Sequence, residues 1–187
     1  MSELLPLFVN LEGRRVLLVG AGPVAAGKLR QLRAAGADVV VVAPEAHPDI
    51  IAAGVPIERR AFRPADLDDI WFVVAAAPPD VNREVAEAAG MRKLFVNAVD
   101  DPPNATAYLS GVVRRSGVTL AISTSGAAPA LTGLLREALD ALLPDDIETW
   151  MTVAREARPV WKKNGVPMDE RRPLLLKALN DLYRTHS

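Results

Sequence analysis

The sequence predicts an α/β fold: a parallel sheet wound with helices on both faces, followed by a small β-ribbon and a helical C-terminal region. Three observations predict it. Short, almost wholly apolar runs recur through the first half of the chain, as strands covered on both faces require. Helical stretches separate those runs, and strict alternation of strand and helix is the mark of a parallel sheet. After residue 107 the pattern changes, first to a hairpin and then to continuous helical periodicity.

Each element has its own reason. Arg15 to Val19 is an apolar run ending at Gly20. Val24 to Ala35 reads as a helix carrying Lys28, Leu29 and Leu32, with Gly36 just past its end, where a left-handed cap favours glycine. Four consecutive valines, Val39 to Val42, form a second buried strand stopped by Pro44. Ile57 to Ala61 is a weaker strand. Trp71 to Ala75 is another apolar run, followed by Pro78-Pro79 and a helix from Asp80 to Ala89, and Leu94 to Val99 closes the series. Tyr108 to Arg114 and Val118 to Ser123 flank Arg115-Ser116-Gly117 and pair as a ribbon. Leu131, Leu134, Leu135, Ala138, Leu139 and Leu142 then recur at helical spacing up to Pro144. Ile147 to Lys163 and Asp169 to Tyr183 are two more helices, separated by Asn164-Gly165-Val166-Pro167. The expected division is residues 1–107 for nucleotide binding, 108–146 for a dimerisation ribbon and helix, and 147–187 for a C-terminal helical region.

Composition narrows the function classes. Half the residues are apolar and 24% are charged, ordinary for a globular chain. Lys and Arg total 22 against 23 Asp and Glu, so no global field attracts nucleic acid. The absence of cysteine excludes disulfides, thiolate metal sites and a cysteine nucleophile, and is compatible with a reducing compartment. His47 and His186 are the two histidines, and they suggest no histidine-based metal site. Residues 1–10 lack the pattern of a signal peptide, and no apolar run reaches the roughly 18 residues of a membrane span. A cytoplasmic location without membrane or nucleic-acid partners is expected.

Val19-Gly20-Ala21-Gly22-Pro23-Val24-Ala25 places Gly-x-Gly-x-x-Ala between a buried strand and a helix. The first glycine permits the tight turn and the second lets backbone approach a diphosphate. The alanine lets helix and strand pack closely. Free amides and the helix dipole then favour the negative charge. Strand, turn, helix and second strand lie in register, so a Rossmann-type nucleotide site is favoured over a plain structural turn. The acidic residue that commonly ends the second strand and holds the ribose is displaced: the strand ends Val42-Ala43-Pro44, and Glu45 comes late. No arginine stands there to take a 2′-phosphate, which favours NAD over NADP.

Beyond the glycine turn, the chain resembles a known family. The residues that carry the resemblance are Leu5-Pro6-Leu7-Phe8, the glycine turn with Lys28, Asn97-Ala98-Val99-Asp100-Asp101-Pro102, Ala121-Ile122-Ser123-Thr124-Ser125-Gly126, Pro129 and Leu134-Leu135-Arg136-Glu137. In that order they are similar to the precorrin-2 dehydrogenases of siroheme synthesis, which include the N-terminal half of siroheme synthase. The resemblance implies oxidation of precorrin-2 to sirohydrochlorin by hydride transfer to NAD. In some members iron insertion follows. It also implies a homodimer formed by the segment after the nucleotide domain. Two departures are Ala76-Ala77-Pro78-Pro79-Asp80, where the family often has Ala-Thr-Asp-Asp, and Ser110-Gly111, where it often has Pro-Ala. No methyltransferase segment is recognised, so the preceding methylation is expected from another protein.

The resemblance puts the acid/base on Asp100, and the strand-end position agrees, because ligands of open parallel sheets bind there. Asp100 or Asp101 could instead cap the turn before Pro-Pro, a reading outweighed for Asp100 and favoured for Asp101. Gly20, Ala21, Gly22, Pro23, Val24 and Ala25 are the diphosphate candidates. Pro44, Ala76 and Asn82 are candidates on the adenosine side, and Asn97 near the nicotinamide or substrate. Substrate carboxylates call for cations, with Arg115 first and Arg114, Arg136, Lys162 and Lys163 behind it. Ser123, Thr124 and Ser125 either line the tetrapyrrole or cofactor or cap the helix near Pro129. The competing function is a nucleotide-sensing regulatory protein without chemistry. The Asn97 to Pro102 and Ser123 to Gly126 segments favour the enzyme.

Overall fold

Leu17 and Leu18 are neighbours in one strand, both buried, and they face opposite layers of the first unit. That is possible only for a strand covered on both sides, as the apolar runs require. The structure, a computed structural model, describes residues 3–109 and 111–184. Ser110 and His186 lie outside the described residues. The chain divides into two compact units, 1–109 and 110–187.

In the first unit β1 (Arg15–Val19), β2 (Asp38–Val42), β3 (Ile57–Glu58), β4 (Phe72–Ala75) and β5 (Phe95–Ala98) form one sheet in the order β3-β2-β1-β4-β5. Every pair is parallel. The strand order reverses between β1 and β4, so a ligand crevice is expected beyond the carboxyl ends of those two strands. Helix α1 (Pro23–Ala34) buries Ala25, Ala26, Leu29 and Leu32 on one layer, with Val16, Leu18, Val41 and Val74. Helix α3 (Pro79–Met91) buries Val85, Ala88 and Ala89 on the other, with Leu17, Val73 and Val96.

Two local features differ from expectation. A five-residue helix, α2 (Pro48–Ala52), follows β2; it is too short to show periodicity, and the His47 ring nitrogen Nδ1 caps it by accepting from the Asp49 amide. The strand expected over Ile57 to Ala61 stops at Glu58. There Arg60 turns toward Asp66 and forms a two-pronged ion pair at 2.6 and 2.8 Å.

In the second unit β6 (Gly111–Arg115) and β7 (Val118–Ile122) pair antiparallel, with Arg115 opposite Val118. Ser116 and Gly117, both at positive φ, make the two-residue turn, the arrangement whose twist matches a hairpin. Arg115 therefore ends the strand instead of opening the turn. Helices α4 (Pro129–Leu142), α5 (Ile147–Lys163) and α6 (Met168–Arg184) follow. Trp150 Nε1 donates to the Tyr183 hydroxyl, which donates to Asp146, each at 2.6 Å, joining the end of α6 to the start of α5. Among the described residues of this unit only Val113 and Ile147 are buried. No helix of the described residues is long and apolar enough to cross a membrane.

Candidate active site

The glycine turn is locked from both neighbouring strands. The Gly20 amide donates to Val42 O at 2.9 Å, and the Ala76 amide donates to Val19 O at 2.8 Å. Gly20 sits at φ +95°, and a Cβ there would strike the Ala76 carbonyl. Glycine is thus required by the close approach of the loop after β4. Asn82, 2% exposed, holds that loop by accepting from the Ala77 amide at 3.1 Å. On the other side the Ala21 carbonyl accepts from His47 N at 2.8 Å.

Gly22 has the opposite environment. A Cβ added there would meet nothing within 4 Å, so packing does not demand glycine. It N-caps α1, with Pro23 at the first helical position and no acidic residue in the first turn. The first amides of a helix have no intrahelical acceptor, and here those of Val24 and Ala25 are such amides. Ala25 is fully buried against the sheet. An open side, free amides, a helix dipole and no competing carboxylate fit the diphosphate of a dinucleotide. Pro44 is exposed just past β2, and Ala76 is half-buried just past β4.

At the other end of the crevice stands β5. Asn97 is 5% exposed; its Nδ2 donates to Ala107 O at 3.0 Å, and its Oδ1 is buried without a partner. Asp100 follows the strand, exposed, with φ +54°. That left-handed conformation is uncommon for a residue with a side chain. Asp tolerates this region in turns, and Asp69, Lys93, Ser116 and Ser125 share it. Asp101 N-caps a 3-10 turn (Pro102–Asn104) and accepts from Asn104 Nδ2 at 2.9 Å, a turn-holding arrangement.

Lys28 lies on α1. Its ammonium is half-buried, and burial pushes it below the ordinary lysine value while Asp100 pulls it back up. No ion pair or side-chain hydrogen bond joins it to another described residue. Sequence alone offers no signal for this, because the opposing charge lies seventy-two positions away along the chain.

The remaining candidates belong to the second unit. Thr124 Oγ1 accepts from Ala128 N at 3.2 Å and pairs with Thr132 Oγ1 at 3.0 Å, so this hydroxyl caps α4. Ser123 Oγ accepts from Ser125 N at 3.1 Å, and Ser125 and Gly126 are both left-handed. Arg115 spends its guanidinium on the C-terminal end of α4. It donates to Leu143 O at 2.8 Å, to Asp140 O at 3.1 Å and to Asp140 Oδ1 at 2.9 Å. Arg114, Lys162 and Lys163 are exposed and Arg136 is half-buried. Among the described residues no group of three or more His, Asp or Glu side chains is placed to hold a metal ion.

Residues 7–111 match the model of a family described as "Putative NAD(P)-binding". The chain is 37% identical over 186 residues to the siroheme synthase of Zymomonas mobilis subsp. mobilis, covering 97% of this chain and 40% of that protein. It is 41% identical over 175 residues to siroheme synthase 3 of Aeromonas hydrophila subsp. hydrophila, covering 91% of this chain and 37% of that protein. The chain thus spans about two fifths of the length of these relatives. Among solved structures it is similar to SirC, a precorrin-2 dehydrogenase, with a TM-score of 0.71 and 25% identity over 97% of this chain and 92% of that one.

Proposed function

The chain belongs to the NAD(P)-binding family that residues 7–111 match, and from that premise we propose that it is a precorrin-2 dehydrogenase, oxidising precorrin-2 to sirohydrochlorin with NAD. Similarity to SirC along nearly the whole of both chains supports the reading, as does similarity to the siroheme synthases. The observation that carries the chemistry is Asp100, an exposed carboxylate just past the carboxyl end of β5.

NAD, when bound, supplies the hydride acceptor. The turn from Gly20 through Ala21, Gly22, Pro23 and Val24 to Ala25 holds its diphosphate. Pro44, Ala76 and Asn82 shape the adenosine side, and Asn97 supports the nicotinamide side. Exposed Glu45 and the lack of an arginine at the end of β2 support NAD over NADP. Loss of hydride would leave a cationic macrocycle, and the Asp100 carboxylate would accept the proton that then departs, so the net change is one hydride and one proton removed. Ser123, Thr124 and Ser125 shape the substrate side through the loop before α4. Arg115 holds the ribbon to α4, so its effect on substrate carboxylates runs through that placement.

The exposed leucines of α4, Leu131, Leu134, Leu135 and Leu142, support a homodimer built on residues 108–146, with 1–107 binding nucleotide and 147–187 forming the C-terminal helical region. A cytoplasmic setting fits a cysteine-free chain.

The test is anaerobic incubation with precorrin-2 and NAD, following NADH and the sirohydrochlorin spectrum. Wild type converts, and Asp100→Asn is slowed by about a hundredfold or more while binding NAD normally. Wild type that binds NAD yet leaves precorrin-2 unchanged would overturn the dehydrogenase reading and leave a nucleotide sensor. Ferrous iron added to the product, with the siroheme spectrum as readout, tests iron insertion.

A further inference from the structure

We propose that His47 supplies the ribose contact that the displaced acid leaves open, donating from its imidazole Nε2–H to a hydroxyl of the adenosine ribose. The proposal rests on the nucleotide-binding part of the reading above, not on the identity of the oxidised substrate.

The backbone places the ring. Gly20 N donates to Val42 O at 2.9 Å, and His47 N donates to Ala21 O at 2.8 Å. The stretch from Val42 to His47 is therefore bonded to the glycine turn at both ends. It forms the β2 side of the crevice, where this fold holds the adenosine ribose. The usual acid is missing from the end of that strand, since Ala43 and Pro44 come first and Glu45 follows.

The imidazole is fixed at one nitrogen and open at the other. Nδ1 accepts from the Asp49 amide at 3.2 Å, so in the neutral ring the proton sits on Nε2. Among the described residues nothing accepts from that Nε2–H, and the side chain is 34% exposed. The Asp49 carboxylate lies 3.9 Å from Nδ1 and, through its other oxygen, 3.9 Å from Arg30.

Ligand groups can be sorted by these surroundings. The diphosphate is served by the amides of the glycine turn. A 2′-phosphate would accept from Nε2 but bring a second anion beside Asp49, in a stretch that also carries Glu45. A ribose hydroxyl accepts from Nε2 and keeps its own proton for a carboxylate, so it suits the donor and the acids together. An adenine ring nitrogen accepts as well but has no proton to return, and the experiment separates it from the ribose.

The experiment is titration calorimetry on the full chain with NAD and with NAD analogues lacking the 2′- or the 3′-hydroxyl of the adenosine ribose. His47→Asn keeps an oxygen to cap α2 and loses the Nε2 donor, so its unfolding midpoint is expected to match wild type. Its NAD affinity is expected to fall about fivefold, the order of one neutral hydrogen bond. One of the two deoxy analogues is expected to bind wild type about fivefold more weakly than NAD, and the variant is expected not to distinguish that analogue from NAD. Unchanged NAD affinity in His47→Asn would overturn the proposal. So would a variant that discriminates against both analogues as wild type does, which would put Nε2 on the adenine or in the fold. Wild type that binds no NAD would remove the nucleotide reading and this proposal with it. NAD binding without precorrin-2 oxidation would remove the dehydrogenase reading and leave the titrations standing.

Discussion

Asn97 donates from Nδ2 to the carbonyl oxygen of Ala107 at 3.0 Å, while its own Oδ1 is buried with no partner. The donor half ties β5 to the chain segment beyond it, and the acceptor half is a cost carried by the fold. The two halves predict an order of stabilities. Asn97→Ala loses the bond to Ala107 but also removes the orphan acceptor, for a net loss of ~1–2 kcal/mol. Asn97→Asp replaces the donor with a second acceptor, facing the Ala107 carbonyl in a dry site, and is expected to be less stable than the alanine variant. Urea unfolding gives the order directly; an aspartate variant as stable as wild type would show that the site is wet.

Gly20 and Gly22 are two residues apart and are glycine for different reasons. Gly20→Ala forces a side chain into the Ala76 carbonyl at a positive φ, so it is expected to lose several kcal/mol, about 2–5, or fail to fold. Gly22→Ala meets no protein atom and keeps an ordinary extended φ of −80°. Its unfolding midpoint is expected to stay within about 0.5 kcal/mol of wild type. Its NAD affinity is expected to fall at least about tenfold, because the methyl occupies the side from which a diphosphate approaches. Normal NAD binding by a folded Gly22→Ala variant would place the diphosphate elsewhere.

The parallel sheet was legible because its strands are covered on both faces and so read as unbroken apolar runs. The glycine turn was legible because its spacing carries a mechanism. What stayed hidden is of two kinds. Helix α2 and the early end of β3 are decided over a few residues, by the His47 cap and the Arg60–Asp66 pair, below the reach of periodicity. The half-burial of Lys28, Thr124 accepting from the Ala128 amide before α4, and Arg115 bound to Leu143 and Asp140 depend on which residues the fold brings together. Spacing along the chain does not encode such meetings. The resemblance marked several of these residues without supplying the contacts.

Helix α4 has no buried residue, and Leu134 and Leu142 are 65% and 76% exposed. Apolar side chains at helical spacing left open to water are a recognised mark of an association surface. If α4 forms the homodimer contact proposed above, Leu134→Glu is expected to yield monomers at concentrations where wild type sediments as a dimer. The change touches no buried contact, so folded secondary structure is expected to persist. A Leu134→Glu variant that sediments like a dimeric wild type would move the interface off this helix.

The contacts of Arg115 make it a brace for the end of α4. Arg115→Ala leaves the Leu143 and Asp140 carbonyls without that donor and is expected to cost ~1–2 kcal/mol. Thr124→Val acts at the other end of the helix, removing the acceptor for Ala128 N, at ~1 kcal/mol. Both sets of contacts lie within the second unit, and NAD affinity is expected to be unchanged in both variants. Unfolding curves paired with NAD titrations separate this from direct cofactor contact, which would appear as weakened binding without loss of stability.

Asp66 ties acid sensitivity to one named pair. The hydrogen-bonded Arg60 guanidinium holds its carboxyl below the usual carboxylate range, with the Arg63 amide adding to the effect and partial burial opposing it. A carboxyl depressed in the folded state binds its proton less readily there than in the unfolded chain, whose aspartates titrate at about 3.9. Its stabilisation is therefore fully present above that value and is lost as pH falls toward the lower folded value. Wild type is expected to lose stability on acidification below about pH 4.5, with Asp66 contributing part of the slope. Asp66→Asn keeps the shape but cannot pair as an anion, so it is expected to start ~1–3 kcal/mol less stable at neutral pH. Its stability is expected to change less between about pH 5 and pH 2, because one of the titrating groups is gone. Denaturant midpoints measured across that range give the comparison. Parallel curves for the two proteins would mean that the Arg60–Asp66 pair is open in solution and that β3 ends at Glu58 for some other reason.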